Sequence, residues 1–214
     1  MRQCFSIGLF ALLVLSLPGC GGFRDTKPQL PGNLDTLCMP DYASGFEMYR
    51  YDSSTLLRIV NPWQGADSVS QWVFLSRDDE KPPKGFAGET IDVPVRRIVC
   101  MSSSYVAFLE ALGADSTICA ISGTGYIWSD KVRNRIARGE IAEAGFDNSL
   151  NFEKLVALKP DVVFLYGLTG KNAVTDKLHE LGLKTVYIGD YVENNPLGRA
   201  EWITVFGEFT GRRE

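Results

Sequence analysis

The sequence predicts an α/β fold in which a parallel, Rossmann-like sheet follows a small antiparallel β element. From Val95 onward, short apolar runs alternate regularly with amphipathic helical patterns, as in a chain of β-α units. The runs are almost entirely apolar, as strands are when helices cover both faces of a parallel sheet. Residues 45–94 instead show the alternation and the aromatic and β-branched content of antiparallel strands.

Length and composition describe a globular protein with a mild negative charge. The chain has 214 residues, of which 45% are hydrophobic and 22% charged, and its formal net charge is −4. Such a chain can bury a core of one domain or slightly more. Because basic residues form no cluster, the sequence excludes nucleic acid as an expected partner.

Residues 1–19 are predicted to be an export signal. Arg2 supplies the positive start, and an apolar run too short to span a bilayer comfortably follows. The run ends in Leu-Pro-Gly-Cys at Leu17–Cys20, which resembles the bacterial lipobox, so Cys20 is expected to carry the lipid. The alternative is a plain signal peptide with an incidental cysteine. Acyl chains on Cys20 would place the protein on the periplasmic side of a bacterial membrane without a membrane-spanning helix.

The next two segments are a tether and the β element. Residues 20–44 are rich in Pro, Gly and Asp, which favours a linker between the lipid and the fold. Residues 45–94 are expected to form the antiparallel element, with turns at Asp52–Ser54 and near Gln64–Asp67.

Residues 95–195 carry the alternating elements, and a longer helix is expected to begin at Pro196. The predicted strands lie at 96–101, 116–122, 161–167 and 184–190, and the predicted helices at 104–114, 151–159, 173–182 and 196–211. In such folds ligands bind at the loops that follow the strands. These loops are Met101–Tyr105, Gly123–Asp130, Gly167–Asn172 and Asp190–Trp202.

The loops favour a binding surface over a nucleotide site. Met101–Tyr105 holds three serines at a helix start, where free backbone N–H groups can receive an acceptor, although the loop taken by itself favours plain N-capping. Gly123–Asp130 contains Tyr126 and Trp128, which suit a flat apolar platform. Its glycines do not form the GxGxxG pattern, and Gly167–Asn172 is too short for a phosphate-binding loop.

The sequence offers little for catalysis or metal binding. The single histidine, His179, lies on a polar helical face, and there is no GxSxG motif. One histidine is too few for a typical zinc or manganese site. Beyond the signal and Cys20, the cysteines are Cys38, Cys100 and Cys119, an odd number in which the last two are expected to be buried in strands. No enzyme activity, cofactor or metal is therefore predicted.

The order of motifs from Arg96 to Glu214 resembles the N-terminal lobe of the Fe/B12 periplasmic-binding domain. The most specific segment is SLNFEKLVALKPDVV, in which Asn151-x-Glu153 precedes Ala157-Leu158-x-Pro160-Asp161. This family comprises the substrate-binding proteins of ABC importers for siderophores, haem and cobalamin. The resemblance implies a Rossmann-like lobe of a class III periplasmic binding protein.

The resemblance also implies roles for individual residues. Glu153 would be the exposed glutamate that docks into the ABC transporter permease, besides complementing the positive end of its own helix. The ligand, an iron–siderophore, haem or corrinoid, would lie against six residues that follow the strands: Ser103, Ser104, Tyr105, Tyr126, Phe146 and Asp147. Aromatic side chains suit a large flat chelate, and hydroxyl groups would orient its polar rim.

Two features depart from the family pattern. Residues 196–214 look like the start of the helix that joins the two lobes, so the second lobe is expected to be missing and the chain to be a truncated form. The β element is not part of the family core and is expected to cover one edge. The alternative function is a doubly wound nucleotide-binding domain or an enzyme of a secreted lipoprotein.

Overall fold

The computed structural model describes residues 34–146, 149–167 and 173–213, and these residues form two five-stranded sheets. The strands of the first sheet are β1 (Asp35–Cys38), β2 (Phe46–Tyr51), β3 (Ser54–Val60), β4 (Ser70–Ser76) and β5 (Glu89–Asp92). Their spatial order is the order of the sequence. Neighbouring strands are antiparallel except β4 and β5, which run parallel.

The first sheet follows the predicted alternation closely. Phe46 and Met48 of β2 point into the core together with Leu57 and Ile59 of β3. The β2–β3 hairpin turns at Asp52, whose φ of 45° is the left-handed conformation that Asp tolerates in tight turns. Because β1 pairs with β2, residues 35–38 of the predicted tether belong to the fold.

The second sheet is parallel throughout and doubly wound. Its strands are β6 (Ile98–Cys100), β7 (Ile118–Ile121), β8 (Ala142–Glu143), β9 (Val162–Leu165) and β10 (Thr185–Tyr187). Their order is β10-β9-β6-β7-β8, so the chain winds from the central β6 to one edge and then crosses to the other side. The point where the winding reverses lies beside β6, where such sheets open a crevice.

The described residues contain six α-helices. They are α1 (Ser103–Ala111), α2 (Asp130–Ala137), α3 (Phe152–Leu158), α4 (Ala173–Glu180), α5 (Pro196–Glu201) and α6 (Ile203–Thr210). Side chains of Ser102, Ser129, Asn151 and Asn195 cap four of them at the N-terminus. The single helix predicted from Pro196 is divided at Trp202, which is fully buried and stacks edge-on against Phe46.

Helix α6 lies between the two sheets. Phe206 and Phe209 face the parallel sheet, where their rings pack against Phe164 of β9. Glu208 faces the other way and binds Thr55 of β3. Both sheets therefore contribute to one continuous core, and a second core lies on the opposite face of the parallel sheet with residues of α3 and α4.

The antiparallel sheet therefore does more than the edge cover that the sequence suggested. It buries α6 and also reaches the outer strand β10 of the parallel sheet. There the side chain of Gln71 donates to the Thr185 carbonyl oxygen at 3.1 Å and accepts from the Tyr187 N–H at 2.9 Å. The two sheets are thus joined by hydrogen bonds as well as by apolar packing.

Candidate functional site

A cleft opens at the carboxyl ends of the parallel strands, beside the central strand β6. It has a volume of about 220 Å³. The lining residues follow four different strands and are Met101, Ser102, Ser103, Ser122, Tyr126, Phe146 and Tyr166. Its wall therefore combines hydroxyl groups with aromatic rings at the position where doubly wound sheets bind ligands.

The serine loop after β6 supplies the hydroxyl groups. Ser102 caps α1 by accepting a hydrogen bond from the Ser104 N–H at 3.3 Å, and its Oγ lies 2.9 Å from Ser104 Oγ. Ser103 is exposed and lines the cleft as predicted, whereas Ser104 does not line it. Capping and cleft lining thus coexist in this loop, and the sequence could not divide the two roles among the serines.

Ser104 instead contacts Asp190, which follows β10. Burial raises the pKa of the Asp190 carboxyl, an effect that its hydrogen bonds with the Ser104 hydroxyl and the Tyr191 N–H oppose. Asp190 is 6% exposed, so Ser104 reaches from the first loop to a largely buried acid rather than to the cleft.

The prediction that Tyr105 lies on the ligand side is wrong. Its side chain is fully buried, and its hydroxyl group lies 3.2 Å from the Leu165 carbonyl oxygen and 3.4 Å from that of Ile188. The ring packs between Phe164 and Phe206. Tyr105 therefore fastens α1 to the ends of β9 and β10, and it cannot contact a ligand in the cleft.

The aromatic part of the wall comes from the segments after β7 and β8. Tyr126 is 70% exposed and Phe146 is 51% exposed. Both rings pack against Gly123, since a Cβ at this position would lie 2.8 Å from Tyr126 Cδ2 and 3.3 Å from Phe146 Cε1. Gly123 also has a φ of 76°, which favours glycine. Trp128, 91% exposed, stands near these rings in sequence but does not line the cleft.

Glu143 of β8 connects the loops that carry the two rings. Its carboxylate accepts hydrogen bonds from the backbone N–H groups of Gly123, Thr124 and Gly145 and from the Thr124 hydroxyl, at 2.6–2.9 Å. Burial pushes the pKa of Glu143 up, but these hydrogen bonds outweigh burial and leave the pKa lowered. Sequence reasoning missed this residue because its partners lie up to twenty positions away.

The comparisons with known proteins agree with the fold. Residues 98–214, more than half of the chain, match the family described as periplasmic binding protein. The chain belongs to this family. Its members are substrate-binding proteins of ABC importers and not enzymes, and their work is done outside the cytoplasm.

Relatives of this periplasmic binding protein include two uncharacterized lipoproteins of Methanocaldococcus jannaschii. One is 28% identical over 240 residues, covering 98% of this chain and 57% of that protein. The other is 30% identical over 192 residues, covering 87% of this chain and 46% of that protein. The chain thus spans about half the length of the curated relatives it matches.

Solved structures similar to this periplasmic binding protein include two whose names state haem or petrobactin as the ligand. The periplasmic haem-binding protein HutB of Vibrio cholerae is 22% identical, with a TM-score of 0.43, over 54% of this chain and 41% of that one. The petrobactin-binding protein YclQ of Bacillus subtilis is 12% identical, with a TM-score of 0.45, over 74% of this chain and 46% of that one.

Three further residues were predicted to have a role: Glu153 in docking, Asp147 in ligand binding and Cys20 in lipid attachment. Glu153 is exposed in the first turn of α3. Asp147 and Cys20 lie outside the described residues. In the ranges that the structure describes, no helix is long and apolar enough to cross a membrane.

The three cysteines that follow Cys20 and the single histidine all lie within the described residues. Cys38, Cys100 and Cys119 are free thiols, and burial raises the pKa of the last two. His179 does more than contact solvent, because its Nε2 lies 2.7 Å from Thr185 Oγ1 and 3.3 Å from Glu89 Oε1. Among the described residues, no group of three or more His, Cys, Asp or Glu side chains could hold a metal ion.

Proposed function

We propose that this chain forms the ligand-binding lobe of a lipid-anchored substrate-binding protein that captures an iron–siderophore, haem or cobalamin-type chelate for an ABC importer. The observation that supports it most directly is the cleft wall, where exposed Tyr126 and Phe146 stand beside the hydroxyls of Ser102, Ser103 and Ser122. Largely exposed aromatic rings on a concave wall favour a large, flat ligand, because stacking buries both surfaces.

The hydroxyl groups complement the rings. Ser103 Oγ and Ser122 Oγ can donate or accept at the polar rim of a chelate, whereas Ser102 already serves the start of α1. Asp147 follows Phe146 directly in sequence and stays a predicted ligand residue. The wall would therefore hold the apolar face of a ligand and orient its edge.

Binding is tested by titrating the protein with cyanocobalamin, haemin and ferrichrome, with ATP as the representative of the alternative nucleotide-binding function. We expect saturable binding of at least one chelate and none of ATP. The doubly replaced Tyr126→Ala/Phe146→Ala protein should bind the same chelate at least tenfold more weakly, since each stacking ring contributes about 1 kcal/mol. Saturable ATP binding without a response to any chelate would overturn the proposal.

The permease partner is proposed to dock on Glu153. Its side chain is exposed in the first turn of α3 and does not line the cleft. Glu153→Ala should impair uptake of the chelate, while the dissociation constant of the chelate stays unchanged. Glu180→Ala, which removes another exposed helix glutamate, is the control and should leave uptake intact. Weaker chelate binding by Glu153→Ala would contradict a docking role.

The lipid anchor is proposed to be attached at Cys20. The sequence Leu17–Cys20 supports it, as do the names of the two lipoprotein relatives. Fractionation should find the protein in the membrane and its Cys20→Ala variant outside it. Equal distribution of the two would contradict attachment at this cysteine.

A further inference from the structure

The positions of the two cleft rings are not fixed by burial alone. Tyr126 is 70% exposed and Phe146 is 51% exposed, so each ring has only part of its surface in contact with the protein. A ring in this situation is placed mainly by the backbone of the loop that carries it. The two loops follow different strands, β7 and β8, and something must hold them in register with each other.

The Glu143 carboxylate connects these loops directly. Its Oε1 accepts from the Gly123 N–H and from the Gly145 N–H, both at 2.9 Å. Its Oε2 accepts from the Thr124 N–H at 2.8 Å and from the Thr124 hydroxyl at 2.6 Å. One oxygen therefore bridges the two loops, while the other holds the turn that leads to Tyr126.

The chemistry of this cluster requires the carboxylate form. An ionised carboxylate only accepts hydrogen bonds, and all four groups around Glu143 are donors. Hydrogen bonds from neutral donors to a charged acceptor are about twice as strong as those between neutral groups. An amide in place of the carboxylate would present its own NH₂ group to one pair of these donors.

The position of both rings depends on the position of the Gly123 backbone. Its backbone is bound by Glu143, and both rings pack against its Cα. Gly145, bound by the same oxygen, immediately precedes Phe146. A shift of either loop would therefore separate the rings from the surface on which they meet.

We propose that Glu143 is a positioning residue, which holds Tyr126 and Phe146 together on Gly123 and thereby sets the affinity of the cleft for its chelate. The part of this statement that concerns affinity rests on the proposed function. The part that concerns position does not, because it is a statement about the protein without ligand.

The test compares Glu143→Gln with Glu140→Gln. Glu140 undergoes the same chemical change three positions away, but its partners are the guanidinium groups of the largely buried Arg135 and the exposed Arg138, not the loops that carry the rings. In Glu143→Gln the amides of Gly123, Thr124 and Gly145 should exchange with solvent about tenfold faster. Nuclear Overhauser contacts from both rings to the Gly123 α-protons should weaken. Glu140→Gln should change neither quantity, and unchanged values in Glu143→Gln would overturn the proposal.

Affinity is measured on the same variants with whichever of cyanocobalamin, haemin and ferrichrome binds the parent protein. Its dissociation constant should rise about tenfold in Glu143→Gln and stay unchanged in Glu140→Gln. If the rings are displaced in Glu143→Gln but its dissociation constant is unchanged, the proposal that Glu143 sets the affinity of the cleft is overturned. If no chelate binds the parent protein, the proposed function fails, and the exchange and Overhauser results still decide the position of the rings.

Two substitutions of Thr124 provide a second test that does not depend on the folding of Glu143→Gln. Thr124→Val removes only the hydroxyl that binds Oε2, and Thr124→Ser keeps it. Thr124→Val should change the amide exchange rates and the dissociation constant in the same direction as Glu143→Gln. Thr124→Ser should leave both at the values of the parent protein. Equal behaviour of the two variants would contradict the role of the carboxylate.

Discussion

Three successive backbone N–H groups converge on one carboxylate at the start of the fold. Glu201 accepts hydrogen bonds from the N–H groups of Asp41, Tyr42 and Ala43 at 3.0, 2.8 and 2.6 Å. Burial tends to raise the pKa of Glu201, but these three hydrogen bonds outweigh it and lower the pKa below the usual 4.5. The residue thus ties the segment between β1 and β2 to α5.

Replacing Glu201 by Gln should destabilise the protein in a pH-dependent way. Because the folded state binds the proton less tightly than the unfolded state, the stabilisation is fully present above about pH 4.5 and is lost as the pH falls through the lowered folded value. We expect a loss of about 1 kcal/mol in the free energy of unfolding at pH 7, a modest value because the carboxylate is partly exposed. The difference should shrink at pH 3.

Urea unfolding of both proteins at pH 7 and at pH 3 measures this difference. Glu180→Gln, which removes only a surface pair with Lys177, is the control and should cost little at either pH. A loss of equal size at both pH values would contradict the linkage to the Glu201 carboxyl.

At the scale of single residues, the sequence predicted which loops form the cleft better than it predicted which side chains line it. Ser103, Tyr126 and Phe146 line the cleft as expected, because loops after parallel strands meet at one edge. Tyr105 does not, since the side of a helix that faces the core depends on where the neighbouring strands end. Such contacts between distant segments leave no local signal.

At the scale of elements, α6 carries a buried charge toward the antiparallel sheet. Glu208 is 4% exposed, and its oxygens lie 2.8 Å from the Arg77 guanidinium and 2.7 Å from that of Arg213. Its Oε2 also accepts from the Thr55 hydroxyl at 3.0 Å. Two cations and one hydroxyl compensate the carboxylate at the boundary between the sheets.

Glu208→Gln should therefore be among the more destabilising polar changes in the chain. It removes the counter-charge of two guanidinium groups, that of Arg77, which is 18% exposed, and that of Arg213, which is 40% exposed. Because Glu208 itself is buried but Arg213 reaches solvent, we expect a cost at the low end for buried pairs, about 3 kcal/mol in the free energy of unfolding. Asp130→Asn is the matched control, because Asp130 is almost fully exposed and pairs with Arg133 only at 3.8 Å. Chemical denaturation at pH 7 measures both, and similar losses for the two variants would contradict this account.

Elements with a strong apolar pattern were predictable, and those with a weak one were not. Strands β6, β7, β9 and β10 and helices α1, α3 and α4 lie where the sequence placed them. Helix α2 was missed because its eight residues are mostly polar, and only Val132 is fully buried. The two-residue strand β8 is too short to show any periodicity.

At the scale of the whole molecule, the two sheets share one core. Leu57 and Ile59 of the antiparallel sheet belong to the same apolar cluster as Ile98 and Phe164 of the parallel sheet. Helix α6 lies between the two sheets, and Gln71 joins them directly at β10. The antiparallel sheet is therefore expected to unfold together with the parallel sheet in one cooperative transition.

Leu57→Ala should test this cooperation. Leu57 is fully buried, so the truncation leaves a cavity and should lower the free energy of unfolding by about 3 kcal/mol. Amides of β9 in the other sheet should lose protection to the same extent as those of β3. Val156→Ala, at a partly exposed position of α3, should have little effect. Unchanged protection of β9 in Leu57→Ala would show that the sheets unfold independently.

The contact between Gln71 and β10 has one more consequence. An outermost strand offers unsatisfied peptide groups to any extended chain that meets it, and this is a common route to aggregation. The Gln71 amide occupies a carbonyl and an N–H of that rim and so imitates a short sixth strand. A single side chain thereby ends the sheet at β10 and leaves fewer unpaired peptide groups at which neighbouring copies could join by strand pairing.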